Sequence, residues 1–171
     1  KAVVLATEDF HANQLLGLGK EHAEWNSVVC LYFSLAVDDL PSDEPILYLD
    51  GTGNGPINNL TFLSTLCDCA PVGQALASVS VIGQKELDME EIAKQAKNQL
   101  TEWFGKKAEG WKYLKGYRIH QAVPSCPTPP SPKPALTEVY RCGDYFGLPS
   151  IDSAMKSGRL TAEHIIRESQ S

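Results

Sequence analysis

Between residues 139 and 164 the chain passes from a short β-type run (139–142) through Gly143-Asp144 and a turn-rich stretch into a helix that opens at Pro149-Ser150. Ala154, Gly158 and Ala162 stand four apart in that helix, and residues four apart share a face. That face is nearly bare of side chains, so the helix can lie very close to a sheet or a flat ligand. The first turn offers unpaired N–H groups and the positive end of the helix dipole. A strand, a Gly-Asp pair and a helix N-terminus in succession suit a phosphate or an electron-rich ring edge. A tightly packed terminal helix with an ordinary N-cap is the plainer reading of the same residues.

The length, 171 residues, is that of one ordinary domain, and 43% hydrophobic content is enough for a core. No apolar run approaches the roughly 20 residues that span a bilayer, and no signal-peptide pattern opens the chain. It begins at Lys1 and runs straight into a strand-like stretch, residues 2–5, that reads as buried. That opening points to a processed product or a piece of a larger protein. A net charge of −6, with no Lys/Arg cluster interleaved with aromatics, argues against nucleic acid as a partner. The cysteines number five, an odd count without framework spacing, so a reducing, intracellular compartment is the simpler expectation. Asn59-Leu60-Thr61 has the form of a glycosylation sequon and is read as chance.

After the first strand, Glu8-Asp9 leads into a short helical stretch ending near Leu15-Leu16-Gly17. Residues 28–35, 46–49, 59–65 and 76–82 read as strands joined by Gly, Pro, Asn and Asp, the pattern of an antiparallel meander. Asp88 caps the clearest helix, with Glu91 three residues on as in a capping box. Met89, Ile92, Ala93, Ala96, Leu100, Trp103 and Phe104 form its apolar face, and Gly105 ends it. This helix is expected to cover one face of the meander. Residues 111–123 follow as a long extended segment, and residues 124–134 form a polyproline-type connector.

The segment holding Gly143, Asp144, Ser150, Ile151, Asp152, Ala154, Ser157, Gly158 and Ala162 resembles the last cofactor-binding motif of the flavin-dependent amine oxidase and phytoene desaturase superfamily. In that family the acidic residue lies by the ribityl–pyrophosphate part of FAD, and the helix start points at the pyrimidine edge of the flavin. The resemblance therefore implies FAD as cofactor, with Gly143, Asp144, Ser150, Ile151, Asp152 and Ala154 as the residues that hold it. It extends over nearly the whole chain in element order. The implied fold is α/β, or α+β in the substrate domain: a mixed, mainly antiparallel sheet with a covering helix, plus the last strand and helix of a Rossmann-like FAD domain. Residues 1–20 would leave the FAD domain, 21–123 form the substrate domain, 124–136 connect, and 137–171 return to FAD. Ile46-Leu-Tyr-Leu-Asp-Gly, Asn58-Asn59-Leu60, Ala70-Pro71 and Ser78-Val79-Ser80-Val81 look like the phytoene-desaturase-like subgroup of photosynthetic organisms. A plastid is suggested only by that subgroup resemblance. The chain departs from the family at its front, where the Gly-x-Gly-x-x-Gly opening that holds the FAD pyrophosphate is missing. The missing N-terminal FAD-binding portion, or a partner chain, is then the expected partner beside a small-molecule substrate.

Other patterns carry less. Residues 50–56, Asp-Gly-Thr-Gly-Asn-Gly-Pro, lack the Lys-Ser/Thr pair of a Walker A loop and read as a turn. Cys67-Asp68-Cys69 places two thiols on one face of a strand end, with no second pair at zinc spacing, so ordinary thiols and no metal site are expected. His11, His22, His120 and His164 are scattered, and no nucleophile elbow supports a hydrolase. No catalytic base is marked. Trp111, Tyr113 and Tyr117 share one strand face by period-two spacing, together with Lys115. With Tyr140 they form either a core edge or a pocket wall of the kind amine oxidases place above the flavin. Two functions remain: part of an FAD-dependent oxidoreductase that dehydrogenates an amine or a C–C unit, or a non-enzymatic subunit or interaction module that keeps the fold with a vestigial flavin site.

Overall fold

The computed structural model describes residues 1–18, 25–83, 86–125 and 135–170. The proline-rich connector and His22 fall largely or wholly outside these. The elements in order are β1 (Val3–Leu5), α1 (Asp9–Leu15), β2 (Trp25–Ala36), β3 (Leu47–Leu49), β4 (Ile57–Phe62), β5 (Gln74–Ile82), α2 (Met89–Phe104), α3 (Lys106–Glu109), β6 (Lys112–Pro124), β7 (Val139–Arg141) and α4 (Ile151–Ser169). The chain divides into two units, Lys1–Trp25 with Val123–Ser171, and Asn26–Ala122. It is a mixed α/β protein whose larger sheet is mainly antiparallel.

In the central unit the sheet order is β3-β4-β5-β2-β6. Only β3-β4-β5 is a meander. β2 lies beyond β5 and β6 beyond β2, because the long strand β2 pairs with β5 along nine residues, from Val28↔Ile82 to Ala36↔Gln74. One face of β2 (Val29, Leu31, Phe33, Leu35) and of β5 (Ala75, Ala77, Val79, Val81) is buried with Ile92, Ala93, Ala96 and Leu100 of α2. The covering helix is thus where its apolar face places it. Its cap differs in detail from a capping box. The Asp88 carboxylate accepts from the Glu90 N–H at 3.1 Å, while Glu91 accepts from Gln95 one turn on. Tyr48, Phe62, Phe104 and Trp111 meet mostly edge to face, with centroids 5.4–6.0 Å apart, and close one end of this core.

The strand expected at 59–65 runs instead over Ile57–Phe62, and Leu63–Thr65 turns as a 3-10 helix. A register shift between Ile57 and Asn59 explains the difference. With one extra residue, Ile57, Leu60 and Phe62 all reach the core, which strict alternation forbids. The Ile57 N–H freed by that bulge donates to Gln99 Oε1 at 2.9 Å, and Gln99 is buried in an otherwise apolar helix face for this purpose.

The aromatic face expected at Trp111, Tyr113 and Tyr117 also breaks. Tyr113 packs on the core residue Phe33, and a Cβ on Gly116 would meet Met89 Sδ at 2.4 Å, so positions 113 and 116 both face α2. Tyr117 lies against Tyr32 on the other side of the sheet. An odd spacing between two residues of one face requires an extra residue, which falls at Leu114-Lys115.

In the terminal unit β1 and β7 form a two-stranded parallel sheet, Val3↔Val139 to Leu5↔Arg141. β1 was expected to be buried. Val3 and Val4 are instead 55% and 44% exposed, because no further strand or helix of the described residues covers them. α4 lies on β7 through Ser157 and Thr161. Ser157 Oγ accepts from the Gly143 N–H at 3.1 Å, and Thr161 donates to the Arg141 carbonyl at 3.3 Å. The Ala154–Gly158–Ala162 stripe is not the packed face. A Cβ on Gly158 would meet nothing within 4 Å.

Candidate functional site

The turn after β7 is built by close approach. Asp144–Phe146 forms a single 3-10 turn that folds the buried Tyr145 back beneath Gly143. A Cβ on Gly143 would stand 2.2 Å from a Tyr145 ring carbon, so only glycine fits. The Tyr145 hydroxyl donates to the Cys142 carbonyl at 3.2 Å, and burial above all pushes its phenol up, as burial also pushes up the Cys142 thiol. Arg141 is ion-paired with Asp9 of α1, and its guanidinium lies over the rings of Tyr145 and Phe146 at 5.3 and 5.6 Å. These contacts fix the backbone on either side of Gly143-Asp144.

Asp144 is half-buried, and its carboxylate has no hydrogen-bond or ion-pair partner among the described residues. At the start of α4 the Ser150 hydroxyl is committed: it accepts from the Ser153 N–H at 3.1 Å and donates to the Leu148 carbonyl at 3.0 Å. The Ala154 N–H is used by the Ser150 carbonyl. The N–H groups of Ile151 and Asp152 have no acceptor among the described residues. Ile151 is 83% exposed, a large apolar side chain left in water at the mouth of the helix. Of the six residues expected to hold a cofactor, Gly143 offers a backbone free of side chain and Asp144 a free acceptor. Ile151 and Asp152 offer free donors, Ser150 holds the first turn, and Ala154 is a small half-buried residue within the helix.

A second feature belongs to the central unit. The sheet face opposite α2 carries a shallow concavity of about 640 Å³, lined by Cys30, Tyr32, Leu76, Leu114, Tyr117 and Ile119, with Lys115 at its edge. The Tyr32 and Tyr117 rings meet edge to face at 6.0 Å, and Lys115 Nζ stands 4.9 Å from the Tyr117 centroid. The neighbouring Cys30 side chain, foremost, pushes the Tyr32 phenol up. Sequence reasoning found Tyr117 and missed Tyr32, Cys30 and Leu76. The signal was present in β2, where Cys30 and Tyr32 alternate with Val29, Leu31 and Phe33. A strand apolar on both faces has a use for each. Tyr113 and Trp111 belong to the core side, and Tyr140 is buried in the terminal unit, where its hydroxyl donates to Glu168.

Among the described residues no group of three or more His, Cys, Asp or Glu could hold a metal ion, and no helix is long and apolar enough to cross a membrane.

No protein-family model and no curated protein sequence matches the chain. Solved structures do match in fold. A structure assigned as a protoporphyrinogen oxidase from Exiguobacterium sp. 255-15 aligns with TM-score 0.60 and 14% identity, over 96% of this chain and 41% of that one. An oxidoreductase from Methanosarcina mazei aligns with TM-score 0.57 and 16% identity, over 90% and 38%. A putrescine oxidase with putrescine bound aligns with TM-score 0.51 and 14% identity, over 83% and 36%. The chain thus shares its fold with part of each of these structures, and it spans well under half of their length.

Proposed function

We propose that this chain is the C-terminal part, or one subunit, of an FAD-dependent oxidoreductase of the amine oxidase and phytoene desaturase superfamily, acting by dehydrogenation of an amine or a C–C unit. The observation that carries the reading is the turn from β7 into α4. Its acceptor at Asp144 and its donors at Ile151 and Asp152 are unengaged, while the Gly143 and Ser153 N–H groups and the Ser150 hydroxyl beside them are bonded within the protein. That residue set fits FAD. Asp144 would accept from the ribityl–pyrophosphate part, and the start of α4 would donate to the pyrimidine edge. Gly143 lets Tyr145 pack beneath the turn, Ala154 would keep the approach low, and Ser150 fixes the first turn. Bound FAD supplies the acceptor for a hydride, the chemistry no side chain here provides.

The exposed Val3 and Val4 of a two-stranded parallel sheet favour a missing polypeptide portion, since parallel sheets are normally covered on both faces. The N-terminal FAD-binding part, or a partner chain, supplies it. The free cysteines among the described residues fit a reducing compartment. The second reading is a non-enzymatic subunit or interaction module that keeps the fold with a vestigial flavin site.

The test is an intact-mass and N-terminal analysis of the natively purified protein, with a visible spectrum of the same sample. Flavin bands on a longer chain or a fixed assembly are expected. A native assembly without flavin bands or oxidase activity would sink the oxidoreductase reading and leave the module.

A further inference from the structure

Cys67 and Cys69 are not on a strand, as their spacing implied, but in the loop between the 3-10 turn Leu63–Thr65 and β5. Both are exposed. The Cys69 N–H donates to the Cys67 carbonyl at 2.9 Å, which closes a three-residue turn. In a strand their Cα atoms would stand roughly 6.6 Å apart, near the upper limit of about 6.8 Å for a disulfide. A turn closed from residue i to i+2 draws them in. Both thiols lie against the same 3-10 turn: Cys67 Sγ stands 3.7 Å from the Leu63 carbonyl oxygen, and Cys69 Sγ 3.7 Å from Ser64 Oγ. Ser64 is itself fixed, because its hydroxyl accepts from the Leu76 N–H of β5 at 2.9 Å.

We propose that Cys67 and Cys69 form a reversible dithiol–disulfide couple on this surface loop, with low-molecular-weight disulfides such as glutathione disulfide as the co-reactant. The hydrogen bond with Cys69 above all pushes the Cys67 thiol up, and in the proposed exchange Cys69 is the attacking sulfur. The Cys69 thiolate displaces one sulfur of the small disulfide, forming a mixed disulfide and releasing one thiolate. Cys67 then loses its proton to solvent and attacks Cys69 Sγ, forming the intramolecular disulfide and releasing the second thiolate. Two electrons pass from the protein pair to the small disulfide, which leaves as two thiols.

The test equilibrates the protein over a series of reduced-to-oxidised glutathione ratios, with acid quench, alkylation and peptide mass analysis. The wild type is expected to lose two hydrogens within the peptide holding residues 67–69, reversibly, and half-completely at one defined ratio. Cys67→Ser is expected to hold one glutathione on Cys69, and Cys69→Ser to react at least tenfold more slowly. The reduced wild type should also take up one equivalent of phenylarsine oxide, and each single variant none. Glutathione on both cysteines at every ratio, pairing with a different cysteine, or no arsenical uptake would each overturn the proposal.

Discussion

Gln99 shows how one polar side chain can decide a strand's register. Its amide oxygen takes the Ile57 N–H that the β4 bulge frees, and its amide nitrogen reaches Asp50 Oδ2 at 3.4 Å. Replacing it by Leu leaves a buried backbone donor unpaired, which costs about 1–3 kcal/mol. Urea unfolding of Gln99→Leu measures this, and a loss below about 0.5 kcal/mol would mean that the bulge relaxes without it. Asp50 itself accepts from Thr52 Oγ1, the Thr52 and Gly53 N–H groups and Gln99, and the Thr52 bonds above all hold its carboxyl below its usual value. The unfolded chain therefore takes up this proton first as the pH falls. The stability Asp50 contributes is full above the ordinary carboxylate range near ~4 and disappears as the pH drops through its lowered folded value. Asp50→Asn should flatten the acid limb of the stability–pH curve in that window only. An unchanged acid limb would show that the turn bonds form equally well when Asp50 is protonated.

Among the elements, α2 was the most legible, because capping residue, apolar periodicity and terminal glycine all agree. Asp88→Ala should cost about 1 kcal/mol through the lost cap bond to Glu90, read as a shift in the thermal midpoint. Asp88→Asn should keep most of it, and equal losses in both would point to charge rather than capping. β4 and β6 were less legible, since each holds an extra residue that changes which side chains face α2. Nothing local in the sequence marks an inserted residue, because its cause lies across the sheet. For β4 that cause is the Gln99 amide, and for β6 it is the space beside Met89 and Leu31 that only Gly116 leaves open. Helix α4 was legible as a helix with an N-cap at Ser150, while the face it turns to β7 was not. Ser157 and Thr161 win over the alanine–glycine stripe because each satisfies a backbone group of the β7 turn, and an alanine cannot.

The whole molecule has its apolar core in one unit. The central unit buries a continuous cluster from Val29 to Trp111, whereas the terminal unit buries Ala12, Tyr140, Cys142 and Tyr145 beside polar Asn13, Ser157 and Thr161. Local opening free energy follows buried apolar contact. In the chain by itself, amide hydrogens of β1 and β7 should therefore exchange at least tenfold faster than those of β2 and β5. Where a further polypeptide completes the β1–β7 sheet, as proposed, its addition should slow them. Equal protection in both units of the isolated chain would show that the terminal unit is complete as it stands.

Composition, periodicity and turn residues by themselves determined the mixed architecture, the covering helix and the strand–Gly143-Asp144–helix segment, because each follows from interactions between residues close in sequence. The tertiary structure decided the rest: the place of β2 between β5 and β6, the two bulges and the aromatic concavity on the open sheet face. Each of these depends on which groups meet across tens of residues. Such a meeting is fixed by the satisfaction of buried donors and the filling of space, quantities that a linear pattern does not carry.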